Sequence, residues 1–299
     1  MPDPAQGAPA LDGAELRLLT EVLRAAMSAT TGVELDRALD ELGWLDMLAE
    51  SPAPAIQTVF RLLGETGSHA SVLVDVLRAA DPGLPADVAL PFAGGRRVIW
   101  ERSRTLRPHG AASPHPGSSI DEELPLRIID REATRVESPH DTAAADETAD
   151  SIASVPLAAG RRALGWWLLG SGHAMLSLAR THALERLQFG RPLASFQAVR
   201  HRLAETLVAL DGAEAALAHA DGEFGALLAK AAAGRAATTA ARHCQQVLGG
   251  IGFTAEHELH RHVRRVLVLD GLLGSTRELV REAGTEVRRR AEGPRLANL

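Results

Sequence analysis

The chain has 299 residues, of which 45% are hydrophobic, 3% aromatic and none tyrosine, with a formal net charge of −6 and a pI near 6.1. This length allows one large domain or two ordinary ones around a sizeable core, and the acidic balance excludes a general nucleic-acid binder. The single cysteine, Cys244, excludes an internal disulfide and a thiolate metal cage. Met1 to Leu11 lacks the layout of a signal peptide, and the longest apolar stretch, Ala163 to Leu169, is too short and too Gly-interrupted to cross a bilayer. A cytoplasmic protein without a membrane or nucleic-acid partner is the expectation.

With so few aromatic residues, alanine and leucine must fill the core, which favours close helix packing. In chain order, Leu16, Leu19, Val22 and Leu23 recur at helical spacing, a second helical pattern covers Leu35 to Leu48, and a third runs from Ile56 to Ala80 with Gly64 and Gly67 as its break. From Asp81 the character changes. Pro82, Pro85 and Pro91 punctuate the start, and β-like runs follow at Arg97–Glu101, Pro125–Ile129 and Ala133–Val136. Between them His109–Ser119 reads as a Gly/Pro/Ser-rich loop, and Asp141–Asp150 as an acidic linker. Helical periodicity returns over Ala163–Leu187, Glu223–Leu248 and His257–Arg290, and most clearly in the stripe Phe196, Val199, Leu203, Leu207, Leu210 and Leu217. Glu292–Leu299 reads as a frayed end.

The expected fold is therefore mainly α with a small β module. Residues 1–80 form a helical N-terminal domain, 81–158 a reduced middle β domain and linker, and 159–299 a C-terminal four-helix bundle.

Two strings in the last region carry chemistry. Arg186-Leu187-Gln188-Phe189-Gly190-Arg191-Pro192-Leu193 is followed by Phe196-Gln197, and Gln246-Val247-Leu248-Gly249-Gly250-Ile251-Gly252-Phe253 lies further on. Arg186 offers a planar cationic fork and Gln246 an amide that donates and accepts, while Gly249 and Gly250 admit close backbone approach. Together with His257 to Arg265 and a weaker echo at Glu41-Leu42-Gly43-Trp44-Leu45, these strings resemble the acyl-CoA dehydrogenase family.

The resemblance implies FAD as cofactor and an acyl-CoA as substrate. It implies that Arg186, Gln188, Phe189, Gln246, Gly249 and Gly250 contact FAD held mainly by a neighbouring subunit. It also implies two positions for the catalytic glutamate, and these fall on Leu273, before Gly274, and on Gly160, before Arg161. Neither residue can accept a proton, so no catalytic residue is assigned. Asp270, about one turn before Leu273, is the weak candidate for a displaced base, weighed against a surface or capping carboxylate.

The chain thus resembles the shortened non-catalytic subunit of actinobacterial heterotetrameric acyl-CoA dehydrogenases, which act on bulky esters such as steroid side-chain CoA intermediates. Its expected partner is a homologous subunit carrying the catalytic glutamate. Two other readings stay open: a self-sufficient homomeric dehydrogenase using Asp270, and a non-enzymatic helical scaffold.

Three weaker signals have blander readings. His257, His260 and His262 miss the zinc-binding H-E-x-x-H spacing and read as a helix end rather than a metal site. Cys244 reads as packed. Trp166 and Trp167 read as a helix or subunit contact.

Overall fold

The computed structural model describes residues 13–85, 87–101, 121, 123–129 and 155–291. The described residues begin with five helices: α1 (Gly13–Ala29), α2 (Val33–Glu41), α3 (Trp44–Glu50), α4 (Pro52–Thr66) and α5 (Val72–Ala80). The single helix expected over Leu35–Leu48 is two, because Gly43 adopts φ 79°, a left-handed conformation that turns the chain. Gly64 does not break α4. A Cβ there would fall 2.3 Å from the Trp167 carbonyl oxygen, so the glycine serves a close helix crossing, and Gly67 at φ 71° ends the helix.

Among the described residues, the β module is a three-stranded antiparallel sheet of β1 (Ala89–Phe92), β2 (Arg96–Trp100) and β3 (Leu126–Ile129), with Leu90 opposite Val98 and Val98 opposite Ile128. Two of the β-like runs correspond to β2 and β3. Strand β1 was not anticipated, since Pro91 reads as punctuation, yet an edge strand tolerates a proline. The run at Ala133–Val136, the loop at His109–Ser119, the linker at Asp141–Asp150 and the end at Glu292–Leu299 lie outside the described residues.

The C-terminal region holds α6 (Leu157–Glu185), a hairpin of β4 (Leu187–Gln188) and β5 (Arg191–Pro192), then α7 (Gln197–Ala218), α8 (Gly222–Leu248), α9 (Leu259–Gly271) and α10 (Thr276–Arg290). The pattern over His257–Arg290 is thus two helices, separated at Leu272–Ser275. Ser275 caps α10 reciprocally with Glu278: its hydroxyl accepts from the Glu278 N–H, and the Glu278 carboxylate accepts from the Ser275 N–H at 2.9 Å.

Helix directions follow from the contacts. Gly165 abuts Leu217 and Gly172 abuts Leu210, so α6 and α7 are antiparallel. Gly172 also approaches Ala237, while Arg161 and Lys230 both reach the segment 270–274, so α6 and α8 run parallel. Alanines at 163, 179, 183, 229, 233, 236, 237 and 240 are buried, which lets these helices approach closely.

An aromatic line ties the elements together. Trp44 meets Phe60 at 6.5 Å between ring centroids, Phe60 meets Trp167 at 5.9 Å, and Trp167 meets Trp100 of β2 at 6.0 Å. Trp167 therefore packs at the junction of helices and sheet inside the chain.

Candidate functional site

The six residues singled out for cofactor contact gather at one end of the bundle. Arg186 follows the last residue of α6, and Gln188 and Phe189 lie in the β4–β5 hairpin. Gln246 sits in the last turn of α8, and Gly249 and Gly250 follow directly. Because α6 and α8 are parallel, their C-terminal ends share that face. His182, one turn before Arg186, senses the charge of His257 beyond the glycines; burial first, then His257, lowers its pKa.

The hairpin turn is built from Phe189 at φ 51° and Gly190 at φ 77°. It projects Phe189 to 91% exposure, with Leu187 at 60% and, from the second string, Phe253 at 68%. Phe196 supports the hairpin from below, edge-on to Phe189 at 6.2 Å and capped by the Arg191 guanidinium at 4.2 Å.

This donor set suits a dinucleotide phosphate. The Arg186 guanidinium is exposed and donates to no acceptor among the described residues. Gln246 is exposed, and a Cβ built at Gly249 or Gly250 would meet nothing within 4 Å, so open space lies over both glycines. Gln188 turns its amide onto the Leu187 carbonyl at 2.8 Å, which stiffens the hairpin.

The two positions implied for a catalytic base meet at the opposite end. A Cβ on Gly160 would fall 2.5 Å from Leu273 Cδ1 and 2.9 Å from Leu77 Cδ2, so the two positions touch and an apolar cluster fills the space between them. Leu273 is fully buried at φ 57°. That left-handed backbone costs about 1–2 kcal/mol and is held because the Leu273 N–H donates to the Pro91 carbonyl at 2.8 Å and its own carbonyl accepts from Arg161 Nε at 3.2 Å. Arg161 also pairs with Glu282 at 3.2 Å.

The segment is held further by the only lysine in the chain. Lys230, 1% exposed, donates through Nζ to the carbonyls of Asp270 and Gly274. Burial pulls its pKa down to about 7 against the opposing pull of Asp270. The Asp270 carboxylate accepts from the N–H and hydroxyl of Thr276, the first residue of α10, and faces Gly234. It therefore serves as a helix-start acceptor. In the sequence Lys230 stands out only as the lone lysine, with no role assigned to it; the available signal was its place inside an alanine-rich apolar helix.

A second buried cluster ties the sheet segment to the helices. Arg265, 1% exposed, pairs with Asp121, also 1% exposed, and with Glu123 at 3.1 Å, and donates to the carbonyls of Gly67 and Ser68 at 3.2 and 2.9 Å. His69 and His262 adjoin it. Burial, aided by the Arg265 charge, lowers each to about 4.

Of the remaining signals, His257 opens α9 by accepting the Leu259 N–H on Nδ1 at 3.1 Å, with its carbonyl taken by His260 at 2.7 Å, which is the helix-end role expected. Cys244 is buried and its thiol is pushed up to about 12, so it stays protonated. Among the described residues, no group of three or more His, Cys, Asp or Glu could hold a metal ion, and no helix is long and apolar enough to cross a membrane.

Two such strings at one end of a helical bundle fit the class that the sequence resemblance implies, the helical C-terminal domain of a flavin-linked dehydrogenase. The family model for the acyl-CoA dehydrogenase C-terminal domain matches residues 151–285. Acyl-CoA dehydrogenase IpdE2 of Mycobacterium tuberculosis is 32% identical over 205 residues, 68% of this chain and 58% of that protein. The mitochondrial short-chain specific acyl-CoA dehydrogenase of Bos taurus is 36% identical over 121 residues, 38% of this chain and 29% of that enzyme.

Among solved structures, the Tcur3481-Tcur3483 steroid ACAD aligns with TM-score 0.63 at 18% identity, covering 93% of this chain and 99% of that one. A glutaryl-CoA dehydrogenase from Mycobacterium smegmatis, in complex with FADH2, aligns with TM-score 0.64 at 16% identity over 95% and 97% of the two chains. These structural likenesses show the shared fold. The chain belongs to the acyl-CoA dehydrogenase family. It spans little more than half the length of IpdE2 and less than a third of the bovine enzyme.

Proposed function

We propose that this chain is one subunit of an FAD-dependent acyl-CoA dehydrogenase, gripping the pyrophosphate end of a cofactor whose reactive ring lies in a homologous partner. One observation carries the reading. Gly160 and Arg186 mark the two ends of α6, 26 residues apart, roughly 39 Å at 1.5 Å per residue. An extended dinucleotide does not bridge that distance. A cofactor held by Arg186 and Gln246 therefore cannot present its ring at Gly160 and Leu273 of the same chain.

FAD, the cofactor of this family, supplies the acceptor for the hydride that leaves the acyl chain. This chain's residues bind and orient. Arg186 meets the phosphate charge with a planar fork, Gln246 donates its amide beside it, and Gly249 and Gly250 bring backbone N–H groups close. Phe189, held outward by its turn, offers an aromatic face at the edge of the cofactor. The carboxylate that removes the proton next to the thioester carbonyl comes from the partner, since Leu273 and Gly160 supply none and Asp270 is engaged with Thr276. The substrate is an acyl-CoA ester, and the sequence resemblance supports a bulky one of the steroid side-chain class. The assembly is a heterotetramer in the cytoplasm.

The test is made in the complex with the partner. Arg186→Ala and Gln246→Ala should each weaken FAD retention by roughly tenfold, the loss of one hydrogen bond to a charged group, while the mass of the complex stays unchanged. Retention of FAD at the wild-type level in both variants sinks the assignment.

A further inference from the structure

Resting on the reading above, we infer that strand β1 and the segment 270–275 form a plug that closes this chain's own reaction position, so the missing base cannot be restored there by a single substitution. The Gly160–Leu273 contact is enclosed on every side described. Leu77 and Leu73 pack onto it from α5, with a Gly160 Cβ falling 2.9 and 3.9 Å from their methyl carbons. Strand β1 lies across it, for Phe92 forms a β-bridge to Leu272 and Pro91 accepts the Leu273 N–H at 2.8 Å.

The Phe92 ring seats directly on Gly271, where a Cβ would meet ring carbons at 2.8 to 3.2 Å. The turn after β1 is fastened as well, since the Gly94 N–H donates to the Glu278 carboxylate at 2.9 Å. From beneath, Lys230 and Arg161 hold the carbonyls of Asp270, Leu273 and Gly274.

Three features fasten the segment: a glycine that admits a phenyl ring, a proline carbonyl that pairs with the loop, and a buried amine that bridges two carbonyls. Among the described residues, a carboxylate placed at 273 would be buried against Leu73 and Leu77, out of hydrogen-bond reach of a thioester carbon. The plug is a property of the whole segment, and the absent glutamate is one part of it.

Two measurements test this on the complex with the homologous partner. The wild-type complex is titrated with acetoacetyl-CoA, a thioester that the reaction does not turn over, and its bound FAD is released and counted. One acetoacetyl-CoA and one FAD per pair of chains is the expected result. Two acetoacetyl-CoA per pair overturns the plug while leaving the trans contact to the partner's cofactor intact; a complex with no FAD fails the underlying reading instead. In the second measurement the partner's catalytic glutamate is replaced by glutamine, and this chain carries Leu273→Glu. Turnover should stay at background, and any recovery of turnover overturns the plug.

Discussion

Gly170→Ala should destabilise the chain by about 3 kcal/mol, although alanine is the better helix former by about 1 kcal/mol. Helices α4 and α6 cross with their backbones in contact. A Cβ on Gly170 would fall 2.1 Å from the Arg61 carbonyl oxygen, and one on Gly64 would fall 2.3 Å from the Trp167 carbonyl oxygen and 2.5 Å from the Ser171 nitrogen. Main chain cannot rotate aside as a side chain can, so the helices must part and the packing of Phe60 on Trp167 loosens with them.

Gly212→Ala on α7 is the matched control. It is also a helix-interior glycine, but a Cβ there meets nothing within 4 Å, so this variant should gain up to about 1 kcal/mol. Urea midpoints of the two variants moving in opposite directions is the expected outcome. Equal behaviour would mean that the crossing is not as close as described.

The second large effect belongs to Arg265. Arg265→Met should cost about 3–5 kcal/mol, because it strips the buried Asp121 carboxylate of its cation and leaves the Gly67 and Ser68 carbonyls without their donor. Combining it with Asp121→Asn should recover part of that loss, since the carboxylate charge that Arg265 neutralised is then removed as well.

The same cluster sets the acid limit. His69 and His262 titrate near 4 when folded and near 6.5 when unfolded. As pH falls through that window the unfolded chain binds more protons than the folded one, so stability is full above about 6.5 and drains towards 4, by up to about 3 kcal/mol per histidine. Arg265 is one cause of the depression, so the Arg265→Met variant should show a shallower loss over the same pH range. A stability that does not change between pH 6.5 and 4 would contradict the burial of these rings.

Much of this architecture could be read from residue order, and the exceptions share a cause. The stripe from Phe196 to Leu217 became α7, and the strings around Arg186 and Gln246 fell at helix ends, because periodicity and glycine placement are local signals. Gly64 was misread as a break since its role depends on Trp167 and Ser171, which lie more than a hundred residues away. Strand β1 was hidden by Pro91, whose carbonyl finds its partner only at Leu273.

The Arg265–Asp121 pair spans 144 positions and carries no spacing rule. The two positions implied for a catalytic base came from counting along a resemblance, and in the fold Gly160 and Leu273 lie in contact. That neither could hold a carboxylate in contact with substrate needed the leucines and strand β1 that surround them.

On the proposed reading, this chain grips a flavin nucleotide that another subunit houses. The most direct test is the visible absorbance spectrum of the chain purified alone and then co-purified with its homologous partner. The expected result is no flavin band from the lone chain and a yellow complex whose FAD is lost when Arg186 and Gln246 are both replaced by alanine. A lone chain that comes off the column yellow and oxidises an acyl-CoA unaided would contradict it.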